Sequence, residues 1–227
     1  MTVLNIAKPL VSPTPMPNTE APSATRLLLI RHAEVEEQYQ GVFGGRIDME
    51  LSPRGHEQAA VLAKCLHQKT LDSIYASPMK RVQQTLAPLL DNGAPRPIIL
   101  PDLSEVDFGD WTGLAWEEVQ AKFGVSPFSW LEQLECGGIA NAECSEMLYD
   151  RVEPCLRQIL AAHPSQHVAV FCHGGIIRVL LGILLRWPLS RLGVFEIEYA
   201  SLTQVLVLPR KTELQLLNFT PWREVAS

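Results

Sequence analysis

A chain of 227 residues, 47% hydrophobic and 19% charged, is long enough for one α/β domain with a sizeable core and a small cap. Its net charge of −6 and pI near 5.5 offer no long-range attraction to nucleic acid or to an anionic membrane surface. No stretch approaches the ~20 apolar residues of a membrane span, and five cysteines without a Cys-x-x-Cys read as reduced, mostly buried thiols of a cytoplasmic protein.

Residues 1–24 read as a disordered Pro-rich tail. Lys8 and Pro9 interrupt the only apolar stretch, and Pro13, Pro15, Pro17 and Pro22 follow, which does not resemble a secretory signal. Residues 25–227 read as one domain. Leu27-Leu28-Leu29-Ile30 is a short continuous apolar run, expected of a strand buried on both faces. Arg31 to Leu51 reads as a loop. Ser52-Pro53 opens a helix, with Ser as N-cap and Pro at the first helical position, and Ala59, Leu62, Ala63 and Leu66 recur at helical spacing.

Ser73–Ala76 is a second expected strand. Ser77-Pro78 repeats the cap signature and is expected to open a helix to about Leu90. Pro97–Leu100 reads as a third strand. Residues 101–140 hold several Trp and Gly and are a candidate cap over a site. Glu143–Ala162 reads as a long helix, His167–Cys172 as a strong strand and Gly174–Leu185 as an apolar helix. Strands are expected near Phe195–Tyr199, Leu202–Leu208 and Glu213–Phe219. Alternating strands and helices predict a three-layer α/β/α sandwich around a mainly parallel sheet. Exposed strands near the C-terminus are candidates to pair in a homodimer.

Three polar sets follow strands directly. They are Arg31-His32, then Ser77 with Arg81, then His173-Gly174-Gly175. Ligands of open α/β sheets bind outside the carboxyl ends of strands, so these sets are expected to meet. Two guanidinium groups would hold an oxyanion bidentately, and a helix N-terminus at Gly174 would add N–H donors. A histidine beside arginine is pushed toward its neutral, nucleophilic form. The remaining need is a proton donor for a leaving oxygen. Glu105, in the cap segment, is the best candidate, with Glu34 and Asp107 behind it.

Five segments in order now carry a family resemblance. Leu29-Ile30-Arg31-His32-Ala33-Glu34 resembles an Arg-His-Gly signature. Asp48 to Gly55 is similar to a D-x-P-L-T-x-x-G segment, and Ser77 to Thr85 to an S-P-L-x-R-A-x-Q-T helix. Leu103 to Gly113 resembles the segment that carries an acid, and Phe171 to Gly175 a second histidine motif. Together they resemble the histidine phosphatase superfamily, with its phosphoglycerate mutase-like fold, over about residues 26–220. The resemblance implies that His32 becomes phosphorylated, that Arg31, Arg81 and His173 hold the phosphoryl group, and that Glu105 gives and then takes the proton. It implies a small-molecule phosphomonoester as partner and no metal or organic cofactor.

Departures bear on the substrate. Ala33 stands for a usual Gly, Val35 for a common Thr, and Gln38 for a common Asn that contacts phosphate, which makes Gln38 a candidate donor one methylene longer. Ala142-Glu143-Cys144 stands where many relatives have Gly-Glu-Ser. The segment after Glu105 looks like the phosphatase branch, α-ribazole phosphatases included. Mutases carry an Arg after the acid. A phosphoglycerate mutase-type phosphotransferase and a non-catalytic phospholigand-binding protein are the competing readings. His32-Ala33-Glu34 also fits the H-x-E of zinc deaminases, but Pro154-Cys155 is followed by Leu156, Arg157 and Gln158, so their second metal motif is missing. Arg31 to Glu36 contains no Gly, which excludes a dinucleotide fingerprint.

Overall fold

A computed structural model describes residues 24–224. The expected N-terminal tail lies outside the described residues, apart from Ala24. Six strands form one sheet. They are β1 (Thr25–Arg31), β2 (Ser73–Ala76), β3 (Ile98–Ile99), β4 (His167–Cys172), β5 (Leu202–Leu208) and β6 (Lys211–Phe219), in the order β3-β2-β4-β1-β5-β6. β1 to β4 are parallel, whereas β5 runs antiparallel to β1 and β6 antiparallel to β5. The sheet is therefore mostly parallel.

Helices cover both faces because β1 and β4 are apolar on both. The pleat sends alternate residues to opposite sides. Leu28, Ile30, Ala169 and Phe171 pack on the side of α1 (Pro53–His67) and α2 (Lys80–Asp91). Leu27, Leu29, Val168 and Val170 pack on the other side. There they meet α3 (Trp116–Phe123), α4 (Trp130–Cys136), α5 (Ser145–Ala162) and α6 (Gly174–Leu185). A short helix α7 (Pro221–Glu224) ends the described chain against α1. No helix among the described residues is long and apolar enough to cross a membrane.

Local chemistry sets several boundaries. Ser52 Oγ accepts from Gly55 N at 2.9 Å and Pro53 starts α1. A Cβ on Gly55 would lie 2.0 Å from the Glu34 carbonyl oxygen, so α1 can dock against the loop after β1 only with glycine there. All five cysteines are free, and Cys172 is fully buried in the sheet.

Four expectations are corrected. Ser77 is not the cap of α2, which starts at Lys80 with Met79 at the cap position, because the Ser77 hydroxyl is drawn to His173. Phe195–Tyr199 is not a strand. It follows a 3-10 stretch, Leu189–Val194, and its carbonyls at Phe195 and Ile197 accept from the side chains of Arg178 and Arg31 instead of from a neighbouring strand. The strand at Pro97–Leu100 shrinks to Ile98–Ile99, an exposed sheet edge. The long helix begins at Ser145, two residues late, because the backbone is extended at Cys144, its cap, while Glu143 pairs with the Asp107 backbone.

Candidate active site

The carboxyl ends of β1, β2 and β4 open into a cleft of about 580 Å³. Arg31, His32, Arg81, Glu105 and Gly174 all line it, so residues spread over more than half of the chain meet as the strand-end argument requires. Residues 101–140 run through short helices and supply one wall with Glu105, Phe108, Trp116 and Trp130. Tyr199 and Trp222 stand in the wall built by the C-terminal part of the chain.

His32 follows β1 and is nearly buried, at 5% exposure. Its Nδ1 lies 2.8 Å from the Ala33 carbonyl oxygen. A carbonyl can only accept, so Nδ1 carries the proton. The lone pair of the neutral ring is then on Nε2. Burial, then the charges of Arg81 and Arg31, hold this imidazole well below its ordinary pKa. The ring is neutral at neutral pH with one free nucleophilic nitrogen.

Arg81 is 2% exposed and held at three points. Its terminal nitrogens donate to the carbonyls of Ile47 (2.7 Å) and Gly45 (3.0 Å), and its Nε donates to His173 Nδ1 (3.2 Å). Burial pulls its pKa down to about 10, so it remains a cation at neutral pH. Arg31 donates to the Ile197 carbonyl at 2.6 Å and lies 4.0 Å over the Tyr199 ring, while its buried Nε has no protein partner. Glu105 accepts from its neighbour Val106 N (3.0 Å) and from Gly175 N (3.2 Å) at the start of α6. A Cβ on Gly175 would sit 2.4 Å from Glu105 Oε1, so this approach of acid to helix requires glycine.

Two expected residues stand elsewhere. His173 is fully buried and does not itself line the cleft. Its Nδ1 accepts from Arg81, which leaves Nε2–H to donate to Ser77 Oγ at 2.8 Å, and its ring packs 5.2 Å from that of His32. It thus stands behind Arg81 and His32. Gln38 is exposed on the 3-10 turn Glu37–Tyr39 and faces a separate depression with Glu36 and Glu37. That turn presents Tyr39 to the cleft instead, so Gln38 is not a cleft donor. Of the weaker acid candidates, Glu34 lines the cleft but accepts from Ser52 Oγ, and Asp107 caps Gly109 N outside it. Arg46 pairs with Glu143 and does not reach the cleft.

Arg178 is a third guanidinium in the wall that residue-by-residue reading missed. It donates to the Gly174 carbonyl (3.1 Å) and the Phe195 carbonyl (2.7 Å) and lies 5.8 Å from the Trp130 ring. The signal was present, since position 178 is one helical turn after Gly174 and so shares its face. Tyr199 had no local signal, because a chain reversal before β5 brings it there. Among the described residues, no group of three or more His, Cys, Asp or Glu is placed to hold a metal ion.

The two neutral histidines have a measurable consequence. His173, like His32, is held well below its ordinary pKa by burial first and then by Arg81. Below about pH 6.5 the unfolded chain therefore binds protons that the folded chain refuses, and stability falls as pH falls. The expected loss is up to about 1.4 kcal/mol per pH unit for each histidine. Urea unfolding midpoints across this range check it. A His173→Asn variant should show a shallower slope, and stability that rises on acidification would contradict the buried neutral pair.

A neutral histidine ringed by guanidinium groups at the strand ends of an α/β sheet can bind an oxyanion ester and attack it. Comparison with known proteins agrees. Residues 27–220 match the description Histidine phosphatase superfamily (branch 1). Phosphoserine phosphatase 1 of Hydrogenobacter thermophilus is 32% identical over 195 residues, 86% of this chain and 92% of its own. The adenosylcobalamin/α-ribazole phosphatase of Escherichia coli is 25% identical, over 85% of this chain and 95% of its own. The crystal structure of the α-ribazole phosphatase from Shigella flexneri superposes with a TM-score of 0.74 at 25% identity, covering 86% of this chain and 96% of that one. The chain belongs to the histidine phosphatase superfamily, branch 1. It is a phosphatase of that superfamily.

Proposed function

We propose that the protein hydrolyses a small phosphomonoester in two steps through a phosphohistidine at Nε2 of His32. The observation that carries this is the tautomer. The Ala33 carbonyl takes the Nδ1 proton, so the other nitrogen of a neutral, cleft-lining ring keeps its lone pair. In the first step Nε2 bonds to phosphorus and the ester P–O bond breaks. The electron pair goes to the leaving oxygen, which takes a proton from the Glu105 carboxylic acid. In the second, the Glu105 carboxylate takes a proton from water and the water oxygen attacks phosphorus. The P–N bond breaks, orthophosphate leaves, and the lone pair returns to His32.

Arg31 and Arg81 stabilise the charge on the transferring group, the largest source of acceleration in such reactions. The backbone at Gly174 opens α6 beside them and adds N–H dipoles. His173 holds Arg81 in line and packs against the nucleophile. Nothing favours transfer to a second hydroxyl. Where the mutases of the resembled superfamily carry an arginine after the acid, Val106 is fully buried and offers no charge to an acceptor. The cleft walls supported by Trp116, Trp130 and Tyr199 suit a leaving group with a flat apolar face. α-Ribazole 5'-phosphate is the first such ester to test.

The test is phosphate release from a panel containing p-nitrophenyl phosphate, α-ribazole 5'-phosphate, phosphoserine, sugar phosphates and 3-phosphoglycerate. Release from several members, with one clearly preferred, is the expected result. Isomerisation of 3-phosphoglycerate without release would replace hydrolysis by a mutase reaction. Tight binding without either reaction would leave a phospholigand-binding protein.

A further inference from the structure

Residues 104–108, the segment that carries Glu105, form no helix or strand. A chain segment without a ladder must find its hydrogen bonds elsewhere. One ion pair supplies several of them. Arg151, on α5, meets the Glu143 carboxylate fork to fork, Nε to Oε1 at 2.7 Å and one terminal nitrogen to Oε2 at 2.8 Å. The same guanidinium donates to the carbonyls of Asp102, Ser104 (3.0 Å) and Glu105 (3.3 Å). Glu143 takes the other flank. Its Oε2 accepts from Asp107 N at 2.8 Å, and its own N–H donates to the Asp107 carbonyl at 3.0 Å. The backbone on both sides of Glu105 is thus pinned by Arg151, on α5, and by Glu143, just before that helix, two side chains 16% and 11% exposed.

Glu143 also meets Arg46 at 3.3 Å. Arg46 sits between Gly45 and Ile47, whose carbonyls hold Arg81. One carboxylate therefore links the loop of the proton donor to the cradle of the phosphate-binding arginine. Burial raises the Glu143 pKa, but the hydrogen bonds and charge of Arg151 and the Asp107 N–H outweigh it and hold the group below its ordinary value. It stays ionised, so the fork persists. A buried pair of this kind is weak evidence for stability, and its satisfied geometry is better explained by what it orients.

We propose that Glu143 and Arg151 are positioning residues for the proton donor, fixing the backbone of Glu105 so that its carboxyl group meets the leaving oxygen. This rests on the reading of Glu105 as that donor. The Ala-Glu-Cys departure around Glu143 leaves the glutamate, the part that this role needs.

The experiment exploits leaving-group chemistry. An alkoxide needs a proton as it departs, whereas p-nitrophenolate leaves without one at neutral pH. Glu143→Gln and Arg151→Lys, measured as kcat/KM, should lose about 10–100-fold on an alkyl phosphomonoester and less than about threefold on p-nitrophenyl phosphate. Retained p-nitrophenyl phosphate turnover also shows that each variant has folded. Glu105→Gln is the control, and its kcat/KM should fall about 10²–10⁴-fold on the alkyl ester only, while kcat falls on both because hydrolysis of the phosphohistidine uses the same carboxylate. If Glu105→Gln lowers kcat/KM on both esters alike, Glu105 is not the donor and the proposal falls with that reading. If Glu105→Gln is selective while Glu143→Gln and Arg151→Lys harm both esters equally, or neither, the donor stands and the positioning role is overturned.

Discussion

Replacing His32 with alanine should remove phosphate release on every ester that the wild type hydrolyses, with kcat falling by about 10⁴-fold or more. The mechanism has no second nucleophile to substitute. His173 is the only other histidine nearby. Its Nδ1 lone pair is taken by Arg81, and its Nε2 donates to Ser77. The fold should survive the change. His32 lies at the end of β1, and its backbone bonds, N to the Cys172 carbonyl and carbonyl to Ala200 N, do not involve the ring. The lost ring leaves space next to His173 and Tyr199, so a small fall in melting temperature is expected. Rapid acid quenching of wild type with labelled ester should trap phosphate on the protein, and the alanine variant should trap none. An active variant, or trapped phosphate in it, would sink the nucleophile assignment.

Arg81→Lys should lower kcat/KM by about 10³-fold or more, the scale on which a single guanidinium at a transferring phosphoryl group acts. Lysine keeps the charge but not the fork. Arg81 uses its Nε on His173 and its two terminal nitrogens on the Gly45 and Ile47 carbonyls, so its position is set by directions that one ammonium cannot reproduce. The replacement also leaves those two carbonyls and His173 Nδ1 competing for a shorter, rotatable group in a site that is 2% exposed. A loss of stability should therefore accompany the kinetic loss. Steady-state kinetics on p-nitrophenyl phosphate, with a thermal melt on the same sample, separate the two. Kinetics within a few-fold of wild type would show that Arg81 is a structural cation and that Arg31 and Arg178 carry the anion.

Of the residues singled out in the sequence, Arg31, His32, Arg81 and Glu105 line one cleft, because strand-end position is written locally. An apolar run followed at once by Arg31-His32 or by His173-Gly174 can only put those residues at the carboxyl edge of a buried strand. Gly55 and Gly175 were legible only as members of the family motifs, and the structure shows why they are glycine, since another segment comes too close there for a side chain. Other features were written nowhere locally. Ser77 has every mark of a helix cap, yet its hydroxyl serves His173, a residue 96 positions away. Phe195–Tyr199 has the composition of a strand, yet two arginines claim its carbonyls first. Gln38 has the chemistry of a phosphate donor, but the 3-10 turn aims it outward and turns Tyr39 in.

By itself, then, the order of apolar runs, caps and glycines determined the layers, the sheet edge that bears the site, and the chemistry available there. Only the tertiary structure decided which polar group each of those residues answers to, which of them touch the cleft, and which hold others in place. The physical reason is that burial patterns depend on neighbours in sequence, whereas a hydrogen bond depends on which partner arrives within about 3 Å.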